Sequence, residues 1–172
     1  MTLKDEILQD HSKQHTVYLS KKIGPDQDAF DALMILFLGD DYQITQRAAW
    51  IVSHCVDDYP RLIEKHLKSM IENLQKPVHV AVKRNTLRVL QFVEIPEELM
   101  GIAANICFSY LNSGREPVAI KAHSMTILYN IVKKFPELKE ELKVTIENQM
   151  PFGSAGFISR GRKILNALNK MS

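Results

Sequence analysis

Apolar residues along this chain recur three and four positions apart, the spacing that places them on one face of an α-helix. Strand signals are missing: no alternating run is flanked by Asn-Gly or Asp-Gly, and the turn residues stand too far apart for hairpins. The pattern predicts eight or nine helices. The first segment runs from about Thr2 to Lys22, with Leu3, Ile7, Leu8, Val17 and Leu19 on its apolar side, and closes at Gly24-Pro25. Later segments cover about 26–38, 42–57, 60–75, 77–94, 96–111, 117–134, 136–150 and 155–169. Proline sharpens these limits, because its ring suits the first turn of a helix and not the interior. Pro60, Pro77, Pro96, Pro117 and Pro136 each stand at or just before the start of a segment. The connections are short, so neighbouring helices are expected to be antiparallel.

The segments repeat. Three windows, beginning at Ile44, Val80 and Val118, each place a β-branched residue three positions before a base: Arg47, Lys83 and Lys121. Each window then carries a large apolar residue directly before proline, at Tyr59-Pro60, Ile95-Pro96 and Phe135-Pro136. The prolines lie 36 and then 40 residues apart. A period near 40 with two helices per unit implies an α-solenoid, because one helical hairpin cannot hide its apolar face without a neighbour. The fold expected is all-α: a right-handed α-α superhelix of about four hairpins plus a terminal helix, in one domain over residues 1–172.

Stretches such as Arg47-Ala48-Ala49 and Lys121-Ala122, with a proline or acid opening the first helix, resemble HEAT-like repeats over roughly residues 40–150. Gln46-Arg47-Ala48-Ala49-Trp50 and Val118 to Met125 look like a group of short bacterial HEAT-like proteins, some of which carry the name adenylosuccinate lyase. Lyases of that type are more than twice as long and use a Ser-Ser-x-Met-Pro-x-Lys-x-Asn loop. Here Asn148-Gln149-Met150-Pro151-Phe152-Gly153-Ser154 keeps only Met-Pro, so the lyase name is read as misapplied. HEAT-like DNA glycosylases use aromatic and acidic residues on a basic concave surface. Trp50, Asp57 and Asp58 are the comparable residues here, although Trp50, among Ala48, Ala49 and Ile51, reads as core.

Composition adds limits. The formal net charge is only +2, which gives no general pull towards nucleic acid or membrane. Its distribution is uneven: residues 1–60 hold five bases and ten acids, and residues 61–172 hold 17 and ten. The N-terminus has acids where a signal peptide has bases, and the longest apolar run, Ala32 to Leu38, is far short of a membrane span. Two separated cysteines, Cys55 and Cys107, read as free buried thiols in a reducing compartment. A cytoplasmic location, and a monomer or weak dimer, are expected.

Candidate chemistry is sparse. His11 and His15, four apart on one helix, share a face that suits a metal but read as solvated. His54 and Cys55 are adjacent, so they point about 100° apart and do not form a nucleophile pair. Asp40-Asp41 reads as a helix cap, whereas Asp57-Asp58 opposes the dipole of its helix and needs a base such as Arg61. His66, His79 and His123 have no partner visible in the sequence. Arg47, Lys83 and Lys121 form a ladder expected to bond acids or carbonyls of the adjacent unit. Arg61, Lys65 and Lys68, at helical spacing, are expected with Lys139 and Lys143 to line an inner surface. Interleaved Glu64, Glu72, Glu140 and Glu141 weaken that field, and base-stacking aromatics are few. Nothing converges as a catalytic or metal site, and no cofactor is expected. The reading is a non-enzymatic scaffold that binds a protein or peptide on its curved surface. The alternatives are nucleic-acid binding with alkylated-base repair, and the lyase.

Overall fold

Helices begin where the chain can satisfy the first free amides, and a computed structural model describes them over residues 1–172. Ten α-helices form: α1 (Leu3–Gln9), α2 (Lys13–Ile23), α3 (Gln27–Phe37), α4 (Tyr42–Asp58), α5 (Leu67–Asn73), α6 (Val80–Leu90), α7 (Glu97–Asn112), α8 (Val118–Val132), α9 (Lys139–Gln149) and α10 (Ala155–Asn169). There is no strand. Side chains of Thr2, Ser12, Asp26, Asp41, His79 and Ser154 accept from the opening turns of α1, α2, α3, α4, α6 and α10. Pro96 and Pro117 hold the cap positions of α7 and α8. Helices α5 and α9 have no side-chain cap and instead continue from 3₁₀ turns that Pro60 and Pro136 open.

Two boundaries differ from the expectation. The first segment is two helices, because the Asp10 carboxylate accepts from the amides of His11 and Ser12 at 2.7 and 3.1 Å and turns the chain there. Ser12 then caps α2. The segment opened by Pro77 becomes helical only at Val80. Pro77 instead offers its carbonyl to the Tyr42 hydroxyl at 2.9 Å, which holds the connection extended.

The chain folds as two compact units, Met1–Glu94 and Ile95–Ser172. In the first, α4 packs against α1, α2, α3, α6 and the Pro60–His66 turn. Its buried residues, Ile44, Ala48, Ala49, Ile51, Val52, Cys55 and Val56, cover more than one face. In the second, α8 packs against α7, α9 and α10, and buries Ile120, Met125, Ile127, Leu128, Ile131 and Val132. Close approach shapes the second unit: a Cβ on Gly161 of α10 would lie 2.8 Å from Met150 Sδ and 3.1 Å from Ile146 Cγ2. No helix is long and apolar enough to cross a membrane.

Burial on α3 separates core from surface within one helix. Phe30 is fully buried, whereas Ile35 is 75% exposed. Phe30→Ala is expected to cost about 3–5 kcal/mol in urea unfolding. Ile35→Ala should stay within about 0.5 kcal/mol of the parent.

Candidate interaction surface

The expected basic stripe begins in Pro60–His66, which is a 3₁₀ turn and not an α-helix. With three residues per turn, positions four apart point about 120° away from each other. Arg61 and Lys65 therefore do not share the face that α-helical spacing implied. Arg61 is exposed. Lys65 pairs with Asp31 of α3, and His66 Nε2 lies 2.6 Å from the same carboxylate. Gln27 donates to Asp31 at 2.8 Å and to the Leu62 carbonyl at 3.1 Å, which ties α3 to the turn. Lys65, with Gln27 and His66, holds the Asp31 carboxyl well below its usual range. Lys68 stands 4.0 Å from Glu72 on the exposed side of α5. In the second unit, Lys139 donates to the Met171 carbonyl at 3.2 Å, and Lys143 is half-buried on α9.

Arg47 reaches the last carbonyls of α1, donating to Leu8 at 2.8 Å and Ile7 at 3.2 Å. Lys83 is half-buried on α6. Lys121 donates to Gln149 Oε1 at 3.0 Å, and Gln149 donates to the Leu111 carbonyl at 2.8 Å, so α8, α9 and α7 are joined. Sequence reasoning missed two further bases. Arg88 of α6 forks onto Asp57 at 2.8 and 3.1 Å and also donates to the Ser53 hydroxyl. Arg160 of α10 donates to the Ala122 carbonyl at 3.2 Å and to Thr126 Oγ1 at 2.7 Å. Both bridge helices about one repeat apart, a spacing the proline period already contained. The base that relieves Asp57 is thus Arg88, from the next hairpin, and not Arg61.

The remaining candidates separate. Asp41 caps α4, accepting from Gln43 and Ile44, while Asp40 precedes it on the surface. His11 lies in the turn before α2 and not on one helix face with His15, whose Nε2 lies 2.7 Å from the Glu6 carbonyl. No group of three or more His, Cys, Asp or Glu side chains is placed to hold a metal. Trp50 is half-buried and not core, and the rings of His11 and His54 lie beside it at centroid distances of 6.2 and 5.9 Å. Cys55 and Cys107 are buried, and burial pushes both thiols up to about 12.

A surface feature appears where no helical pattern pointed. Met150–Phe152 forms a 3₁₀ turn between α9 and α10, and Phe152 is 91% exposed. A Cβ on Gly153 would lie 2.7 Å from Phe157 Cδ1, so only glycine lets the turn close on that ring. Beside it opens a groove of about 390 Å³, lined by Glu116, Val118, Lys121, Phe152, Ser154 and Phe157 among others. Lys121 Nζ sits 5.9 Å from the Phe157 ring centroid.

Asp57→Asn should cost less than about 1 kcal/mol in urea unfolding, because the pair with Arg88 is well exposed. Arg88→Met should cost about 1–3 kcal/mol, because Ser53, 2% exposed, loses its partner. Neither thiol should react with an aromatic disulfide at pH 8 in the native protein, and both should react in denaturant. The unfolded thiols ionise near 9.0 and the native ones near 12, so unfolding releases protons in that window. Stability should therefore fall as pH rises from about 9 towards 12.

A family model described as HEAT repeat domain matches residues 3–168. No curated protein and no solved structure matches the chain. The lyase name gains no support from these matches. Paired helices at a period near 40, all-α architecture and a match over nearly the whole length agree, and the chain belongs to the HEAT repeat domain family.

Proposed function

We propose that the chain is a non-enzymatic repeat scaffold that binds a protein or peptide, with Phe152 as a principal anchor. The observation that carries this reading is the exposure of Phe152, at 91%, on the rim of a groove with an apolar floor. A phenylalanine in water forgoes about 1.5–3 kcal/mol that burial would return, and aromatic anchors dominate interface energetics. Phe157 and Val118 supply the apolar floor, while Glu116 and Ser154 offer polar groups at the rim. A groove of this kind suits an apolar side chain of a peptide flanked by its own backbone amides.

The occupation of the bases supports a protein partner over a nucleic acid. Lys65 is engaged by Asp31, Arg88 by Asp57 and Lys139 by a carbonyl, so a phosphate would have to displace partners already present. Arg61 and Lys143 remain to meet acidic side chains of the partner at the surface of each unit.

Peptide display selected on the parent chain and counter-selected on Phe152→Ser tests this. Enriched peptides should carry an apolar residue and lose about tenfold or more in affinity for the variant. The variant should melt with the parent, because the side chain is exposed. Failure to enrich any peptide, or equal binding to both chains, overturns the reading. Salt-sensitive binding of DNA in place of peptide would favour the nucleic-acid alternative.

A further inference from the structure

We propose that the partner seated at the Phe152 groove is an acidic peptide segment, whose acids lie to one side of its apolar anchor along the exposed face of α10. This inference rests on the scaffold reading above and names the chemistry of its partner. Most bases of the second unit that face its grooves are engaged: Lys121 by Gln149, Lys139 by the Met171 carbonyl, and Arg160 by Ala122 and Thr126. Three bases of α10 differ. Arg162, Lys163 and Lys170 are exposed and pair with nothing in the chain. Residues 148–172 contain no Asp or Glu, so α10 carries charge of one sign that it does not neutralise itself.

Helix geometry connects this charge to the groove. Helix α10 opens there, because its cap Ser154 and its buried Phe157 both line the groove. Gly156 is exposed, and a Cβ on it would lie 3.1 Å from Cγ1 of Val118, another lining residue. Residues seven apart on an α-helix lie nearly on one line. Gly156, Lys163 and Lys170 therefore form a row, with Ser159, Arg162 and Asn166 beside it, and all six are exposed. Phe157, Gly161, Ile164 and Leu168 occupy the opposite, buried face. At 1.5 Å per residue, Lys163 and Lys170 stand about 10 and 20 Å beyond Gly156. An extended peptide covers about 3.3 Å per residue, so acids about three and six residues from the anchor reach them. Glu116 in the groove wall keeps those acids out of the groove and on the α10 side. A single-stranded nucleic acid fits less well, since it needs successive stacking rings along its basic track. The second unit exposes one large aromatic ring, Phe152, and none on the exposed face of α10.

Peptides selected by display on the parent chain should carry acids about three to six residues to one side of an apolar residue. Two full-length variants test the row: Arg162→Gln/Lys163→Gln/Lys170→Gln neutralises it, and R162E/K163E/K170E reverses it. All three side chains are exposed, so both variants should melt with the parent. The neutral variant should bind the selected peptides about tenfold more weakly at low salt, and the difference should shrink at about 1 M salt. The reversed variant should recover binding when lysines replace the acids of the peptides, a charge swap that a misfolded variant would not give. Selected peptides without such acids, or equal binding to parent and neutral variant with loss on Phe152→Ser, overturn this proposal and leave the scaffold reading standing. Loss on the neutral variant without loss on Phe152→Ser detaches the row from the groove and also overturns it. If no peptide enriches, both readings fall. An oligothymidylate that binds the parent more tightly than the selected peptides overturns the proposal in favour of a nucleic acid.

Discussion

Two helices are apolar around most of their circumference, and each needs protein on several sides to be dry. Helix α4 buries residues facing α2, α3 and α6, and α8 buries residues facing α7, α9 and α10. A helix with one apolar stripe is satisfied by one neighbour, but these are not. Each unit is therefore organised around one central helix, and the outer helices are held because they cover it. The small residues Ala48 and Ala49 let neighbours approach α4, as Gly161 lets α10 approach α9.

Polar clamps set the register of this packing. Arg47, Arg88 and Arg160 each cross to an element of the preceding repeat and satisfy carbonyls, hydroxyls or a carboxylate there. Their contribution is mainly geometric. The fork of Arg88 on Asp57 is partly solvated, but its contact with the buried Ser53 hydroxyl admits few alternative alignments of α6 on α4. The same economy applies at the surface: a base engaged in holding repeats together is poorly placed to bind phosphate. The Phe152 ring stays in solvent, and the proposed scaffold role rests on it.

The helical segments were legible because burial imposes a spacing of three and four, and proline marks where a helix can begin. Asp10-His11-Ser12 was read through as helix, since its turn depends on one carboxylate folding back onto two amides. The 3₁₀ character of Pro60–His66 was also hidden, and it removed the shared face expected of Arg61 and Lys65. His79 gave no cap signal, because histidine is an uncommon cap, and His66 gave no sign of Asp31, 35 residues away. Phe152 lies in a break between segments, where periodicity carries no information.

The sequence by itself determined the all-helical class, the repeat period and the family, because these depend on local spacing that water enforces on any chain with such a pattern. Tertiary structure alone decided which bases became clamps and which aromatic rings stayed in solvent. Those outcomes depend on side chains that meet across about one repeat of sequence, and the position of each is set by packing rather than by its neighbours along the chain.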